Sequence, residues 1–373
     1  MSQKPTDGSR SRTFARTLIA ATALVLVFGL ASAATAAPLV GTTTRISLDS
    51  AGTQGNSSSF DPAVSGDGRY ITYSSAATNL VVGDTNLSSE IFLFDTTTLA
   101  TTRVSVDSAA VQGNSSSADS AVSGDGRYIT YISDASNLVV GDTNGHRDVF
   151  LFDRITAVTT RVSVNNAAVQ GNADSSSPAI SADGRYITYT SDASNLVVGD
   201  TNVATDVFLF DRITLVTTRI SVDSALTQSN AGSSNSAISG DGRYITYISA
   251  ASNLVESDTN VAFDAFLVDR ITLVTTRISV DSAATQNNGN SFNPAISGDG
   301  RYITYDSDAS NLVASDTNEA SDVFLFALPA VAAVPALAAT GSDPIAPLAI
   351  AVLLLGAGAG AFAVSYYRRY RTS

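Results

Sequence analysis

The sequence predicts an all-β chain, a five-bladed β-propeller of 58-residue, four-stranded repeats, between an N-terminal signal peptide and a C-terminal transmembrane helix. Three observations carry that expectation. The first is a fixed period. The stretch Ser-Gly-Asp-Gly-Arg-Tyr-Ile-Thr-Tyr at residues 65–73 returns at 123–131, 181–189 (with Ala182 for the first Gly), 239–247 and 297–305, always 58 residues on. A constant step of this size marks a repeat architecture. The second is the character of each copy. It divides into short, β-prone segments separated by clusters of Gly, Asn, Asp and Ser, and none has helical spacing. The third is phase. The repeats run 43–100, 101–158, 159–216, 217–274 and 275–326, so the chain opens on a segment that has no sheet before it and closes on a sheet short of that segment. Joining the two would close a ring over residues 40–326 and remove the free edges.

The third copy serves for the elements in order. Residues 159–164, Thr-Thr-Arg-Val-Ser-Val, are β-branched and alternating. Residues 178–181 are a short segment ending in Ser181. Asp183-Gly184 then marks a tight hairpin. Residues 185–191, Arg-Tyr-Ile-Thr-Tyr-Thr-Ser, are strongly β-prone. Residues 206–210, Asp-Val-Phe-Leu-Phe, form a run that is apolar on both faces. Such a strand has to be covered on both sides. Small four-stranded sheets stacked around an axis meet that need.

Ala-Ile-Ser-Gly-Asp-Gly-Arg-Tyr-Ile-Thr-Tyr, followed about 20 residues later by Asp-Val-Phe-Leu-Phe-Asp, resembles the TolB-type, WD40-like β-propeller repeat over residues 43–326. The resemblance implies that the Ala-Ile-Ser segment is the innermost strand of a blade and the Thr-Thr-Arg segment the outermost. The family often has Pro between Ser and Asp and an aromatic before Ser. Here those positions hold Gly or Ala, and Val or Ile.

The ends carry their own signals. Residues 1–36 pass from basic to apolar to small side chains, the order of a secretory signal peptide, with cleavage expected after Ala36. Residues 345–364 contain no charge, enough to span ~30 Å as a helix. The tail 365–373 carries Arg368, Arg369 and Arg371, which hold it on the cytoplasmic side. Before the apolar run stands Leu337-Ala338-Ala339-Thr340-Gly341. Motif 337–341, helix and basic tail together resemble a Gram-positive sorting signal of the actinobacterial Leu-Ala-x-Thr-Gly type. The resemblance implies a sortase as partner, cleavage between Thr340 and Gly341, and covalent attachment to peptidoglycan at the cell wall, with the membrane spanned before sorting. Residues 327–339 form an Ala/Pro linker of at most ~45 Å.

Composition narrows the function classes. Cysteine is absent, so an exported domain has to rely on core burial rather than disulfides. Setting aside seven basic and two acidic residues at the ends leaves 14 Arg against 32 Asp and Glu, a net charge of about −18. That sign argues against nucleic acid as a partner. No nucleophile–base–acid set stands out, and His146 occurs in one copy only, where the others have Ser88, Ala204, Ala262 and Ala320. The chain is therefore expected not to be an enzyme. The expectation is a wall-displayed binding module for a glycan, wall polymer or protein. A structural envelope spacer and a surface hydrolase are the alternatives.

In an up-and-down sheet the two long loops of each copy share one face. Their candidate residues recur with the period: Asp84, Asn86 and Glu90; Asp142, Asn144 and Asp148; Asp200, Asn202 and Asp206; Asp258, Asn260 and Asp264; Asp316, Asn318 and Asp322. Oxygen ligands at positions 1, 3 and 7 of a tight loop suit calcium. An Asx-turn network that binds no metal accounts for the same residues. Gln54, Gln112, Gln170, Gln228 and Gln286, and Asn56, Asn114, Asn172, Asn230 and Asn288, recur beside them.

Overall fold

The structure, a computed structural model, describes residues 41–329. The signal peptide, the linker beyond residue 329, the sorting motif, the apolar span and the basic tail lie outside the described residues. Among the described residues no helix is long and apolar enough to cross a membrane. Residues 41–45 belong to a separate unit and carry no regular structure, and the repeat body begins at Ile46.

The body is five antiparallel sheets, each a meander. The first holds β1 (Ser59–Val64), β2 (Tyr70–Ser75), β3 (Glu90–Asp95) and β4 (Ala100–Arg103). The second holds β5 (Ser117–Val122), β6 (Tyr128–Ser133), β7 (Asp148–Asp153) and β8 (Val158–Arg161). The third holds β9 (Ser175–Ile180), β10 (Tyr186–Ser191), β11 (Asp206–Asp211) and β12 (Val216–Arg219). The fourth holds β13 (Ser233–Ile238), β14 (Tyr244–Ser249), β15 (Asp264–Asp269) and β16 (Val274–Arg277). The fifth has three strands, β17 (Ser291–Ile296), β18 (Tyr302–Ser307) and β19 (Asp322–Ala327).

The repeated stretch is a self-locking turn. Ser65 Oγ donates to Asp67 Oδ1 at 2.6 Å, and the same carboxylate accepts the Arg69 N–H. Gly68 sits at φ +73°, which a side chain would oppose. Arg69 forks onto Asp95 through Nε and Nη2 at 3.0 and 2.8 Å, tying the turn to β3. The Gly66 N–H donates to the Gly124 carbonyl, Gly124 to Ala182, Ala182 to Gly240 and Gly240 to Gly298, each at 2.9 Å. The commonest motif in the chain is thus the tie between neighbouring blades.

Between blades lies one apolar layer, repeated. Tyr128, Val149, Leu151 and Val162 of the second blade pack on Ile187, Tyr189, Phe208 and Phe210 of the third. Within each blade the inner Tyr and Phe stack, Tyr131 on Phe150 and Tyr189 on Phe208, with centroids 5.9 and 5.7 Å apart. In the first four blades runs such as Val-Phe-Leu-Phe are covered on both faces, as the pattern predicts, while in the fifth Val323 and Leu325 are exposed. The innermost strands β1, β5, β9, β13 and β17 lie side by side.

Two expectations need correction. The short segment ending at Ser181 is the end of a six-residue strand, β9, whose register jumps at a bulge. More important, residues 43–48 form no strand among the described residues, and the fifth blade is not four-stranded. Leu48 instead bridges Gln54 within its own turn. Tyr302 of the fifth blade is 44% exposed where Tyr70, Tyr128 and Tyr186 are each 6% exposed. Phase says which strand matches which edge. It does not say whether five wedge-shaped sheets subtend a full turn, which the bulk of the layers between them sets.

Candidate functional site

The β2–β3 type loop of each blade and the segment leading from its outer strand to the next blade meet at one end of the sheets. The period brings the sequence-predicted residues together there, in every blade. Their partners differ from those expected. Arg103 of β4 reaches back between the two acids of its own blade: Nε lies 2.6 Å from Glu90 Oε2 and Nη2 3.6 Å from Asp84 Oδ2. Arg161 holds Asp142 and Asp148 at 3.1 and 3.3 Å, and Arg219 holds Asp200 and Asp206 at 3.2 Å each. Arg277 holds Asp258 and Asp264 at 3.2 and 3.3 Å. A guanidinium fills the place a calcium ion would take between the carboxylates. Among the described residues no group of three or more acidic, His or Cys side chains is arranged to hold a metal. The donor set therefore does not fit calcium, and the calcium expectation gives way in these four blades to a buried ion-pair cluster.

The cluster is buried, and burial weighs on its carboxyls. Burial raises the Glu90 carboxyl to about 7 in spite of Arg103 beside it. Burial likewise raises Asp148, Asp206 and Asp264, Asp258 adding its charge to the last, and raises Asp142. Neutral partners complete each cluster. Asn144 Nδ2 donates to Asp148 Oδ2 at 3.1 Å and to the Gly171 carbonyl at 2.9 Å, so the loop is fastened to the segment entering the next blade. Gln112 donates to Asp84 at 3.0 Å, Gln228 to Asp200 at 2.9 Å and Gln286 to Asp258 at 2.7 Å, while Gln170 donates to Thr143. The Asn series closes a second latch. The Asn114 N–H donates to Asn137 Oδ1 at 2.8 Å, and Asn114 Oδ1 accepts the Ser136 N–H at 2.9 Å, with the same pairing in all five blades. The recurring polar residues are structural fasteners.

The fifth blade differs. Asn318 still donates to Asp322 at 3.0 Å, but one period beyond Arg277 stands Pro335, outside the described residues. Asp316 and Asp322 remain half-buried.

The loops also leave apolar side chains open to solvent. Val82, Val140 and Val198, one period apart, are fully exposed at the loop tips; the fourth and fifth blades have Glu256 and Ala314 there. Leu87, Val203 and Val261 are exposed as well and sit at φ +56°, +54° and +56°. Positive φ is strained for a β-branched residue. His146 occupies the neighbouring loop position in the second blade, its Nδ1 3.1 Å from Asp174 Oδ1, with Arg147 on Asp134 at 3.0 Å.

A second set escaped the sequence reading. At the bulge of each innermost strand stands a residue with positive φ: Asp61 (+49°), Asp119 (+54°), Ser177 (+50°), Asn235 (+52°) and Asn293 (+49°). Burial, then the charge of Asp61, raises the Asp119 carboxyl. The available signal was a periodic position held only by Asp, Asn and Ser, the residue types that tolerate this backbone or bond to it.

No family model matches this chain, and no curated protein does. Among solved structures it is similar to a putative TolB from Agrobacterium tumefaciens at 16% identity, over 74% of this chain and 79% of that one, with a TM-score of 0.44. TolB from Acinetobacter baumannii is similar at 15% identity, over 69% of this chain and 53% of that one, at 0.40. The β-propeller domain of the Trilobed protease from Pyrococcus furiosus is similar at 10% identity, over 73% and 69%, at 0.44.

Proposed function

We propose that this protein is a binding module displayed at the surface of a Gram-positive cell, which engages a protein partner through the loop face. The observation that supports this reading is the set of exposed apolar tips, Val82, Val140 and Val198, with strained Val203 and Val261 beside them. Loops whose recurring Asp, Asn and Gln side chains are engaged in the first four blades hold those tips on a rigid frame. Each strained residue costs about 1–3 kcal/mol, and such strain tends to gather where a surface is used. Several equal, weak contacts on one body bind by avidity. Apolar tips without a periodic aromatic suit a polypeptide better than a glycan. In the first four blades the recurring acids are taken up in ion pairs, which favours binding over catalysis as the use of the loop face.

Display rests on the sorting signal at 337–341 and the span at 345–364. Thr340→Ala is expected to shift the protein from the wall to the membrane fraction. Release of the unaltered protein by detergent alone, and never by a wall hydrolase, would refute wall attachment. Binding is tested on arrays of wall glycans and of exported proteins. A polypeptide ligand is expected, lost when Val82, Val140 and Val198 are changed to Ser at unchanged melting temperature. A chain that binds neither array is a spacer, and binding to glycans alone overturns the choice of partner.

A further inference from the structure

Four blades end the apolar run of their third strand on a phenylalanine: Phe94, Phe152, Phe210 and Phe326. The fourth blade has Val268 there. Phe152 lies in the layer between the first and second blades with Tyr70, Leu93 and Val104. Phe210 lies in the next layer with Tyr128, Leu151 and Val162. Val268 meets the same kind of wall on the third blade, Tyr186, Leu209 and Ile220. Ile220 in place of Val162 returns only one methylene of the ring that is lost. A cleft of about 340 Å³ stands at this seam, and Tyr186, Leu209, Ile220 and Val268 line it.

A second departure from the repeat stands at the same cleft. Leu226 lines it, 59% exposed and at φ +67°. The other repeats have Gly52, Ala110, Ala168 and Ala284 at that position. A left-handed backbone strains a leucine more than a glycine, and the bulky side chain is found only at the seam that lacks the ring. Val216 and Leu273, both exposed, add apolar wall on the open side. The charged groups of the lining are already paired. Arg270 donates through Nε to the Gly242 carbonyl at 2.8 Å and lies over the Tyr186 ring. Arg219 holds Asp200 and Asp206, and Arg185 holds Asp211. The Thr275 hydroxyl donates to the Val222 carbonyl at 2.7 Å. A charged ligand would give up its hydration here for no partner.

We propose that this cleft binds a small, uncharged aromatic molecule, whose ring takes the place that Phe152 and Phe210 hold at the two preceding seams. The repeat itself identifies the occupant, because walls of the same make close on a phenyl ring there. An apolar hollow offers water few partners and admits such a ring instead. The volume is at the lower end of small-molecule sites, which run from roughly 300 to 1,000 Å³. The bound ring touches the third and fourth blades together. The cleft shares no lining residue with the tips Val82, Val140 and Val198, so it stands or falls independently of the ligand on the loop face.

The chain has no tryptophan, so added indole can be followed by its own fluorescence. Indole is titrated with the full-length protein under excitation that tyrosine does not absorb. A saturable blue shift is expected, and toluene should compete it away. Val268→Phe restores the ring of the other blades and should weaken indole binding by roughly tenfold or more, with the melting temperature unchanged or raised. Leu226→Ala restores the small residue of the other repeats and should weaken binding as well; it decides the matter if Val268→Phe does not fold. Val82→Ser should leave indole binding unchanged. A shift that does not saturate overturns the proposal, as does a folded Val268→Phe protein that binds indole like the unaltered one. An equal loss in Val82→Ser means that indole reports the loop tips, and overturns it too. Competition by N-acetylphenylalaninamide but not by toluene would make the cleft a pocket for a partner's side chain and overturn the small molecule as ligand.

Discussion

Two glycines in identical turns form an internal experiment. Gly68 and Gly126 stand at φ +73° and +68° in the same Ser-Gly-Asp-Gly-Arg turn. Alanine at either has to hold a left-handed backbone, which costs about 1–2 kcal/mol. At Gly68 nothing lies within 4 Å of the new Cβ. At Gly126 the Tyr70 Cδ2 is 2.0 Å away, so the ring has to move by about 1.5 Å to reach ordinary contact. Tyr70 is 6% exposed and sits under the Arg154 guanidinium at 4.1 Å. Crowding a packed layer costs about 1–3 kcal/mol, and a disturbed cation–π contact about 0.5–1. Gly126→Ala should therefore lose about 3–5 kcal/mol and Gly68→Ala about 1–2. Urea unfolding followed by tyrosine fluorescence is suited to a chain with 13 Tyr and no Trp. Equal losses at the two positions would refute the packing of each tyrosine on the next blade's turn.

Three further outcomes follow from the ion-pair clusters. Arg161→Met strands Asp142 and Asp148, whose side chains are 4% and 0% exposed, and should cost about 3–5 kcal/mol at pH 7. The loss should shrink toward pH 5 as the acids protonate, and a pH-independent loss in denaturant titrations would argue against buried carboxylates. Glu90 is raised in the fold to about 7 from an ordinary 4.5, so its contribution is full below pH 4.5 and fades as pH rises through 7. Melting temperatures of Glu90→Gln and the unaltered protein should accordingly diverge in the variant's favour between pH 5 and pH 8; parallel curves would contradict the shift. Thermal unfolding in chelator and in millimolar calcium should coincide, because arginines occupy the carboxylate pairs of four blades, whereas a calcium-dependent rise of the melting temperature would restore the metal reading.

The candidate loops were legible as positions, and the Asx turns expected as the alternative to calcium are present at Asn86, Asn144, Asn202, Asn260 and Asn318; the arginine between the acids was not legible. Spacing placed Asp142, Asn144 and Asp148 in one loop, as found. Arg161 is 13 residues beyond Asp148 in the sequence, and only the pairing of β7 with β8 swings it back between the two acids. The recurrence of Gln112 and Asn114 looked the same whether they bind a ligand or fasten backbone. Their partners, Asp84 and Asn137, decide it, and neither is close in sequence.

By itself the sequence determined the repeat, the four segments of each unit and the order of strands within a blade. Those rest on local causes: β-branched alternation, an Asp-Gly turn that caps itself through Ser and Asp, and a doubly apolar strand that requires cover on both faces. Tertiary structure alone decided whether the row closes, which polar groups are spent on one another, and which side chains remain for partners. Closure depends on the angle between sheets, set by Tyr70 against Gly126 and its three counterparts. An angle summed over four such contacts has no signature in any one of them. Val82 and Val149 are the same residue type in sequence, yet one is fully exposed and the other buried, because only stacking with the next blade determines which apolar side chain is covered.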